Sequence, residues 1–243
     1  MTVSGTTRRS GHPSPPGPHV HAGTGPARRV VGLDHIYRQI SSGRPCWISA
    51  ADGGRRPLPI GRWLGGEAST EEDRRADGAL LDLCVGPTVD VGCGPGRFTA
   101  ALADRGVDAL GVDISAAAVE MTVRRGGRAI HSDVFAPMPG AGHWSHVLLA
   151  DGNIGIGGDP LRMLRRARQL LRPGGGVVAE FETHPSGVQT ERRRWETHHS
   201  VGRWFPWALV GCDAAEALAQ ATGFLLVSAV EFSERCVVVM RVA

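Results

Sequence analysis

The sequence predicts a doubly wound α/β fold, and two features of its pattern support this prediction. From residue 69 to residue 222, β-prone runs alternate with helical patterns. Such alternation is typical of a mostly parallel sheet with helices on both faces. The last two β-rich runs, Leu225–Phe232 and Cys236–Val242, are separated only by Ser233–Glu234. Because so short a connection joins neighbouring antiparallel strands, we expect the sheet to end in an antiparallel C-terminal hairpin.

The elements of this sheet can be assigned in order from their apolar spacing and their capping residues. The predicted strands are Thr88–Val91, Val107–Val112, Arg128–His131, His146–Ala150 and Val177–Thr183. The predicted helices cover 69–84 with Ser69 or Thr70 as N-cap, 97–105, a segment capped by Ser115, Pro160–Leu171, and Ala214–Thr222 capped by Asp213.

Three segments outside this core have a different composition. Residues 1–27 are rich in Ser, Gly, Pro and Thr, which predicts a disordered tail whose His12, His19 and His21 are solvated rather than metal-bound. Residues 28–66 are expected to form an N-terminal cap with a hairpin of 47–48 and 58–60, either over the core or as a lid over a ligand. Within the main domain, residues 67–243, the stretch 184–207 is expected to be an irregular substrate-cap insertion.

Composition and charge narrow the class of protein. A hydrophobic content of 42% with 21% charged residues is ordinary for a globular protein. No run of 18 apolar residues predicts a membrane span, and no apolar segment follows Arg8 and Arg9, so we expect a cytoplasmic protein. All 27 basic residues are arginine and the net charge is only +3, which we interpret as a compositional bias rather than a nucleic-acid footprint. The five cysteines form no CxxC pair, which predicts reduced thiols and no zinc site.

The most informative stretch is 89–102, VDVGCGPGRFTAAL, which combines a strand, a glycine turn and a helix start. Glycines at 92, 94 and 96 allow a positive φ and a close approach of ligand to backbone. The free N–H groups of a helix start favour polar or anionic atoms. Arg97 replaces the last glycine of a G-x-G-x-x-G fingerprint, and a P-loop is excluded because the chain has no Lys. We therefore expect a small polar ligand other than a nicotinamide dinucleotide or a nucleoside triphosphate.

Carboxylates follow the next three strands, at the edge of the sheet where open α/β folds bind ligands. They are Asp113, Asp133 and Asp151. Asp113 stands 17 residues after Gly96 and suits a ribose diol, because one carboxylate accepts from two hydroxyls. Asp133 is suited to accept from an exocyclic amine of adenine, and Ile114 to pack on the base. For Asp151, orienting a second substrate, interacting with a positive charge on the ligand, and capping its own turn are left as alternatives.

These motifs together resemble the class I S-adenosylmethionine-dependent methyltransferases. The resemblance covers about residues 85–183, through VDVGCGPG, GVDIS, SDVF, LLADGNI and LLRPGGG. It implies a Rossmann-like sheet of seven strands, in which the seventh strand lies between the fifth and the sixth. It also implies S-adenosylmethionine as the cofactor.

The resemblance implies a role for each residue of the cofactor site. Gly92, Gly94 and Gly96 would line the methionine and ribose, and Asp113 would bind the ribose hydroxyls. The remaining contacts would be made by Asp90 to the amino end, Ile114 and Val134 on either side of the adenine, Asp133 to its amino group, and the main chain around Ala150 to the methionine amine.

The acceptor is the less determined half of the prediction. DGNIG at 151–155 departs from the Asn/Asp-Pro-Pro-Tyr/Phe signature of nucleic-acid amino-methyltransferases, so we expect a small-molecule acceptor, with O-, N- and C-methylation all open. Asp151 and His184 are the candidate catalytic residues, although a base is needed only when the acceptor loses a proton. Two alternatives stay open: a non-catalytic S-adenosylmethionine-binding protein, and an RNA-modifying enzyme that uses Arg192–Arg194 and the arginines of the N-terminal tail. No metal is expected, and the oligomeric state is open.

Overall fold

The structure, a computed structural model, describes residues 1–2, 28–232 and 235–243. The predicted disordered tail, apart from its first two residues, and its three histidines lie outside this range. So does the predicted turn at 233–234.

Thirteen strands and seven α-helices lie in the described part of the chain. The strands are β1 (Arg29–Val31), β2 (Trp47–Ala50), β3 (Arg55–Pro57), β4 (Thr88–Val91), β5 (Ala109–Asp113), β6 (Ala129–His131), β7 (Trp144–Leu149), β8 (Leu171–Glu182), β9 (Val188–Glu196), β10 (Ser200–Gly202), β11 (Phe205–Val210), β12 (Phe224–Phe232) and β13 (Arg235–Val242). The helices are α1 (Leu33–Ser41), α2 (Ile60–Leu64), α3 (Glu71–Asp82), α4 (Arg97–Asp104), α5 (Ala116–Arg124), α6 (Pro160–Leu170) and α7 (Ala215–Thr222), with 3-10 turns at Gly66–Ala68, Asn153–Gly155 and Cys212–Ala214.

The larger sheet has seven strands in the order β12-β13-β8-β7-β4-β5-β6. The five strands from β8 to β6 are parallel, whereas β13 pairs antiparallel with both β8 and β12. One apolar cluster joins this sheet to α3 and α4, and another joins it to α6 and α7. The predicted α/β class, the C-terminal hairpin and the position of the seventh strand between the fifth and the sixth are all confirmed.

Local capping explains where several helices begin. The Thr70 hydroxyl accepts from the Asp73 N–H at 3.0 Å while Asp73 accepts from Thr70, so α3 starts at a capping box. Thr70 is one of the two N-caps predicted for this helix. The prediction that Asp213 caps α7 was wrong. Asp213 lies in the preceding 3-10 turn and its Oδ1 accepts from the Gly187 N–H at 2.8 Å, because a nearby loop offers it an unpaired donor.

A second sheet joins the N-terminal segment to the stretch after β8. Its path is β1-β10-β9-β2-β3, and β11 pairs with β9. The predicted hairpin exists with a shifted register, in which Trp47 pairs with Pro57. The prediction of an irregular stretch over 184–207 was wrong, because β9, β10 and the start of β11 lie there. Its alternation was hidden, since β9 carries charged residues on both of its faces. We call this sheet the roof.

The roof has its own apolar core, formed by Ile36, Ile40, Cys46, Ile48 and Leu58. Beside it, α1 contacts the larger domain through one carboxylate. Asp34 Oδ1 accepts from Ser115 Oγ at 2.6 Å and from the Ala117 N–H at 3.2 Å. The pKa of Asp34 is lowered, chiefly by the hydrogen bond from Ser115. Helix α1 is therefore attached to the start of α5, close to the glycine turn.

The cysteines behave differently from the prediction of reduced thiols. Cys212 and Cys236 form a disulfide, with their Cα atoms 6.0 Å apart. Cys212 follows β11 and Cys236 lies in β13, so the strand order brings them together although their spacing in sequence gives no indication of it. Cys46, Cys84 and Cys93 are free and buried, as predicted. In the described part of the chain, no helix is long and apolar enough to cross a membrane.

Candidate functional site

The glycine turn lies between the carboxyl end of β4 and the start of α4. Gly92, Gly94 and Gly96 all have positive φ, at 70°, 52° and 83°. The Gly92 N–H donates to the Val112 carbonyl at 2.8 Å, and the Gly94 N–H donates to Asp113 Oδ2 at 2.9 Å. The turn is therefore fastened to the end of the neighbouring strand β5.

The three glycines face different neighbours. A Cβ on Gly96 would lie 2.7 Å from the Thr122 Cα, so this glycine is required by the packing of the turn against α5. A Cβ on Gly92 would lie 2.7 Å from the Asn153 side-chain nitrogen, and one on Gly94 would lie 3.4 Å from the Tyr37 hydroxyl. The predicted contacts of all three glycines with a cofactor, which their backbone atoms would make, stay predictions.

Asp113 lies at the carboxyl end of β5 as predicted, and it is buried. Its Oδ2 accepts from Gly94, and its Oδ1 accepts from the Ser115 N–H at 2.8 Å. Burial raises the pKa of Asp113, while these two hydrogen bonds oppose the shift. Each oxygen has a second lone pair, so the carboxylate can still accept from a diol.

Asp90 is 2% exposed and is turned toward α4. Its Oδ2 accepts from the Thr99 hydroxyl at 2.7 Å. Burial raises the pKa of this carboxyl to about 6. The predicted role of Asp90 toward the amino end of the cofactor stays a prediction, since its observed partner is a side chain of α4.

Ile114, Asp133 and Val134 lie at the ends of the neighbouring strands β5 and β6. Ile114 is 65% exposed, whereas Val134 is buried in the core of the sheet. Asp133 Oδ1 accepts from the Phe135 N–H at 2.9 Å. The ring of His131 joins the two strand ends through the Ile114 carbonyl, at 2.9 Å. An exposed apolar side chain beside an exposed carboxylate suits an adenine edge, although contact with one stays a prediction.

The turn after β7 is anchored by two residues. The Ala150 carbonyl accepts from the Asn153 N–H at 2.9 Å. The Asn153 side chain donates to the carbonyls of Val91 and Gly92, at 2.8 Å and 3.1 Å. The turn carrying Ala150 and Asp151 is thereby held against the glycine turn. The predicted contact of the Ala150 main chain with a methionine amine stays a prediction.

Arg97 and Asp151 form a buried ion pair that the sequence did not reveal. Arg97 Nη1 lies 2.6 Å from Asp151 Oδ2, and Arg97 Nε lies 2.8 Å from Asp77 Oδ2. The positive charge of Arg97 holds the pKa of Asp151 below its usual value despite burial. Both oxygens of Asp151, a predicted catalytic residue, are bound by this arginine. A role in orienting an acceptor stays a prediction, and the observed role is to anchor the turn.

A second arginine extends this pair into a larger group of charges. Arg235 Nη2 lies 3.0 Å from Asp77 Oδ1 and donates to Glu180 Oε2 at 3.0 Å. Glu180 Oε2 also accepts from the Asp151 N–H at 2.9 Å. We call Arg97, Arg235, Asp77, Asp151 and Glu180 the charge network. It joins α3, α4, the turn after β7, β8 and β13 directly beneath the site.

Two further residues of the site were missed by the sequence reasoning. Tyr37 on α1 reaches over the glycine turn, and burial raises the pKa of its hydroxyl well above the usual value. Glu182 is the last residue of β8, and its Oε1 lies 3.4 Å from the point that a Cβ on Gly152 would occupy. Tyr37 is the only tyrosine of the chain, which was the one available signal. His184, the other predicted catalytic residue, is exposed in the loop two residues beyond Glu182.

Four half-buried aromatic rings line the roof in a continuous row, which we call the aromatic row. Adjacent ring centroids are 6.0 Å apart for Trp63–Trp195, 5.3 Å for Trp195–Phe205 and 6.3 Å for Phe205–Trp207. The backbone of Trp207 also forms a bridge with Ile156, beyond β7. One end of the row, at Trp207, therefore lies beside the turn after β7, whereas Trp63, Trp195 and Phe205 pack against the apolar core of the roof.

The arginine run 192–194 forms part of β9 and does not present three free cations. Arg193 is 8% exposed, pairs with Glu191 and lies over the ring of Trp207. Arg194 pairs with Glu196 at 2.8 Å. Arg193 is buried although its two neighbours are not, because a strand directs successive side chains to opposite faces. Within residues 28–232 and 235–243, no group of three His, Cys, Asp or Glu side chains is placed to hold a metal ion.

Comparison with known proteins agrees with this geometry. Residues 88–175 match the family model of a methyltransferase domain. The structure is similar to that of a SAM-dependent methyltransferase from Bacteroides fragilis in complex with S-adenosyl-L-homocysteine, with a TM-score of 0.72, 18% identity, and coverage of 89% of this chain and 98% of that one. No curated protein compared with the chain by sequence matches it.

Two further solved structures share the fold over a smaller part of the chain. One is the 1,6-didemethyltoxoflavin-N1-methyltransferase of Burkholderia thailandensis, with a TM-score of 0.54, 19% identity, and coverage of 71% of this chain and 79% of that one. The other is the CcbJ methyltransferase of Streptomyces caelestis, with a TM-score of 0.54, 21% identity, and coverage of 74% and 93%. At these identities the likeness concerns the fold.

Proposed function

Since the chain contains a methyltransferase domain with the class I fold, we propose that it transfers a methyl group from S-adenosylmethionine to a small molecule. The observation that carries this proposal is the bond between the Gly94 N–H and Asp113 at the ends of adjacent parallel strands. It places a flexible glycine backbone and a carboxylate with free lone pairs side by side. A nucleoside with a ribose diol and a polar tail needs both.

The residues present fit this cofactor. Asp113 would accept from the ribose hydroxyls, and Ile114 and Asp133 would meet the adenine. The turn at 92–96 would line the methionine, under the hydroxyl of Tyr37. When bound, S-adenosylmethionine supplies a methyl group already activated on a sulfonium. The task left to the chain is to orient a nucleophile in line with that methyl group and to exclude water.

A small-molecule acceptor is supported by the roof. Trp207, at one end of the aromatic row, and Glu182, at the end of β8, lie beside the turn after β7. Half-buried rings with a few polar groups are typical of small-ligand sites. The structural neighbour from Burkholderia thailandensis is described with bound 1,6-didemethyltoxoflavin, which is a small molecule. We propose the same broad class of acceptor here and a cytoplasmic location, which is a prediction from the sequence.

The two alternatives are weaker than the main proposal. An RNA-modifying enzyme was suggested by the arginine run, of which Arg193 and Arg194 are occupied by glutamates. A non-catalytic binding protein would bind the cofactor without forming a product. Isothermal titration with S-adenosylmethionine and S-adenosylhomocysteine tests the cofactor, and mass analysis of a metabolite extract incubated with labelled S-adenosylmethionine tests transfer. Absence of binding by either ligand would refute the proposal, and binding without any labelled product would favour the non-catalytic alternative.

A further inference from the structure

Glu182 stands apart from the other carboxylates near the site. It ends β8 two residues after Glu180 and therefore lies on the same face of the strand. Its Oε1 lies over Gly152, in the turn that follows Asp151. Its backbone forms a parallel bridge with Gly211, just after β11. The carboxylate is thus at the junction of the larger sheet and the roof.

Glu182 lacks the partners that its neighbours have. Glu180 is bound by Arg235, Glu196 by Arg194, and Asp151 by Arg97. By contrast, Glu182 forms no ion pair and accepts no hydrogen bond from any residue that the structure describes. Because this side chain is only half-buried, its carboxylate can accept a hydrogen bond from a ligand that enters beside it.

The charges that face Glu182 come from four elements. They are Arg56 on β3, Arg62 on α2, Glu180 on β8 and Arg193 on β9. Arg62 is bound to Asp73 at 3.0 Å, and Arg193 is bound to Glu191. Burial raises the pKa of Glu182, although Arg56 and Arg193 oppose the shift. Neither arginine forms an ion pair with Glu182 in the part of the chain that the structure describes.

One end of the aromatic row, at Trp207, provides the other half of the site. The rings of Trp195 and Phe205 are stacked, with 28° between their planes. Trp207 connects the row to the turn after β7 through its bridge with Ile156. Flat aromatic surfaces favour a planar ligand, because stacked or edge-to-face rings gain more than area burial alone.

We infer that Glu182 accepts a hydrogen bond from a ring N–H or ring amine of a planar heteroaromatic acceptor and takes its proton during methylation. The inference rests on the proposed function. The N–H proton passes to Glu182, the new N–C bond is formed by the electron pair of the broken N–H bond in a ring N–H or by the nitrogen lone pair in a ring amine, and the S–C bond breaks with its electron pair passing to sulfur. The products are the methylated ring, a neutral thioether and a protonated carboxyl group.

The class of acceptor follows from proton affinity. A carboxylate is a weak base, and burial makes it somewhat stronger. Proton transfer is efficient when donor and acceptor have similar affinities. Weakly basic aromatic nitrogens meet this condition once the nitrogen carries the developing positive charge, whereas aliphatic ammonium groups hold their protons much more strongly.

The first test is a transfer assay on the full chain with S-adenosylmethionine carrying a deuterated methyl group. Four equal sets of probes are compared: heteroaromatic amines including benzimidazole, aminopyridines and adenine; phenols; aliphatic amines; and carboxylic acids. Products in the heteroaromatic set are expected. Products confined to another set, or none in the heteroaromatic set, overturn the inference.

The second test uses Glu182→Gln with the best heteroaromatic probe. We expect kcat to fall about 100- to 10,000-fold, with little change in KM and with loss of the acidic limb of the pH profile. Glu120→Gln makes the same chemical change on the exposed face of α5 and should match the wild type. A Glu182→Gln variant within threefold of the wild-type kcat overturns the inference.

Cofactor binding separates this inference from the proposed function. Titration with S-adenosylhomocysteine should give equal affinities for the wild type and Glu182→Gln. If the wild type binds neither form of the cofactor, the proposed function itself fails. If Glu182→Gln does not fold, Glu182→Asp replaces it. That variant should lower kcat and keep the acidic limb, and an unchanged kcat would overturn the inference.

Discussion

Arg97 donates to both carboxylate oxygens of Asp151, from Nη1 to Oδ2 at 2.6 Å and from Nη2 to Oδ1 at 3.0 Å. The two residues stand 54 positions apart in sequence. This two-point contact holds the turn after β7 beside the start of α4. All three guanidinium nitrogens of Arg97 have an acceptor, because its Nε donates to Asp77. Arg97, which stands where a nicotinamide-binding fingerprint would have glycine, therefore holds two parts of the structure together.

We expect Arg97→Ala to destabilise the fold by about 3–5 kcal/mol, because it leaves Asp151 buried without its ion-pair partner and leaves Asp77 with Arg235 alone. Arg97→Lys should have an intermediate effect, since an ammonium cannot reproduce the fork. Urea denaturation gives both values. Arg105→Lys alters an exposed pair with Asp82 and should change stability by less than about 0.5 kcal/mol. Equal effects of the lysine substitutions at 97 and 105 would contradict the assignment.

Gly96→Ala should be more destabilising than Gly106→Ala. Both glycines have positive φ, at 83° and 75°, so an alanine is strained at either position. Only at Gly96 would the new Cβ meet backbone, 2.7 Å from the Thr122 Cα, whereas nothing lies within 4 Å at Gly106. We expect about 1 kcal/mol for Gly106→Ala and at least about 2 kcal/mol more for Gly96→Ala, measured by thermal unfolding. Similar losses at both sites would show that the packing against α5 is unimportant.

Asp113→Ala should weaken binding of S-adenosylmethionine by about 1–3 kcal/mol, through lost charge-assisted hydrogen bonds to the ribose. Calorimetric titration of the folded variant measures this. Asp108→Ala, which removes an exposed carboxylate paired with Arg128, is the control and should bind normally. An unchanged affinity for Asp113→Ala would refute the ribose assignment.

The buried Asp90 should make stability depend on pH. Its pKa is about 6 in the folded protein against 3.8 for an ordinary aspartate, so the folded state binds this proton more tightly. The contribution of Asp90 to stability therefore falls as the pH rises from about 4 to about 6, and is constant above that range. As the pH rises from about 4 to about 6, the free energy of unfolding of Asp90→Asn should therefore increase by about 2–3 kcal/mol relative to that of the wild type. Urea titrations at several pH values test this, and a difference independent of pH would contradict it.

Removal of the disulfide should lower stability without unfolding the protein. Cys212 and Cys236 close a loop of 24 residues, for which the loss of unfolded-state constraint is about 3 kcal/mol. The double substitution Cys212→Ser with Cys236→Ser should show this loss in urea. A reducing agent should lower the stability of the wild type by the same amount and leave the stability of the double variant unchanged. A wild type insensitive to reductant would show that the bond is not formed in solution.

The larger sheet could be predicted because its signals are local. Strand β4 matches its predicted bounds, and the glycine turn, the Thr70 cap and the strand-end carboxylates all come from short patterns. The roof could not be predicted, since Ile48 of β2 pairs with Trp195 of β9, far along the chain. The same holds for the charge network, where Arg235 meets Glu180 across 55 residues. No periodicity records which distant charges will meet in a folded interior.

The roof is built from two segments that lie far apart in the sequence. This affects the order in which the two parts of the site form during folding. The turn at 92–96 and its strands need only neighbouring stretches of chain, whereas the roof needs residues near 30 to find residues near 200. Long-range pairing of this kind is slow because a large loop must close first. We therefore expect a growing or refolding chain to become able to hold its methyl donor before it can recognise an acceptor. Changes in the roof could then alter the acceptor while the donor half stays intact.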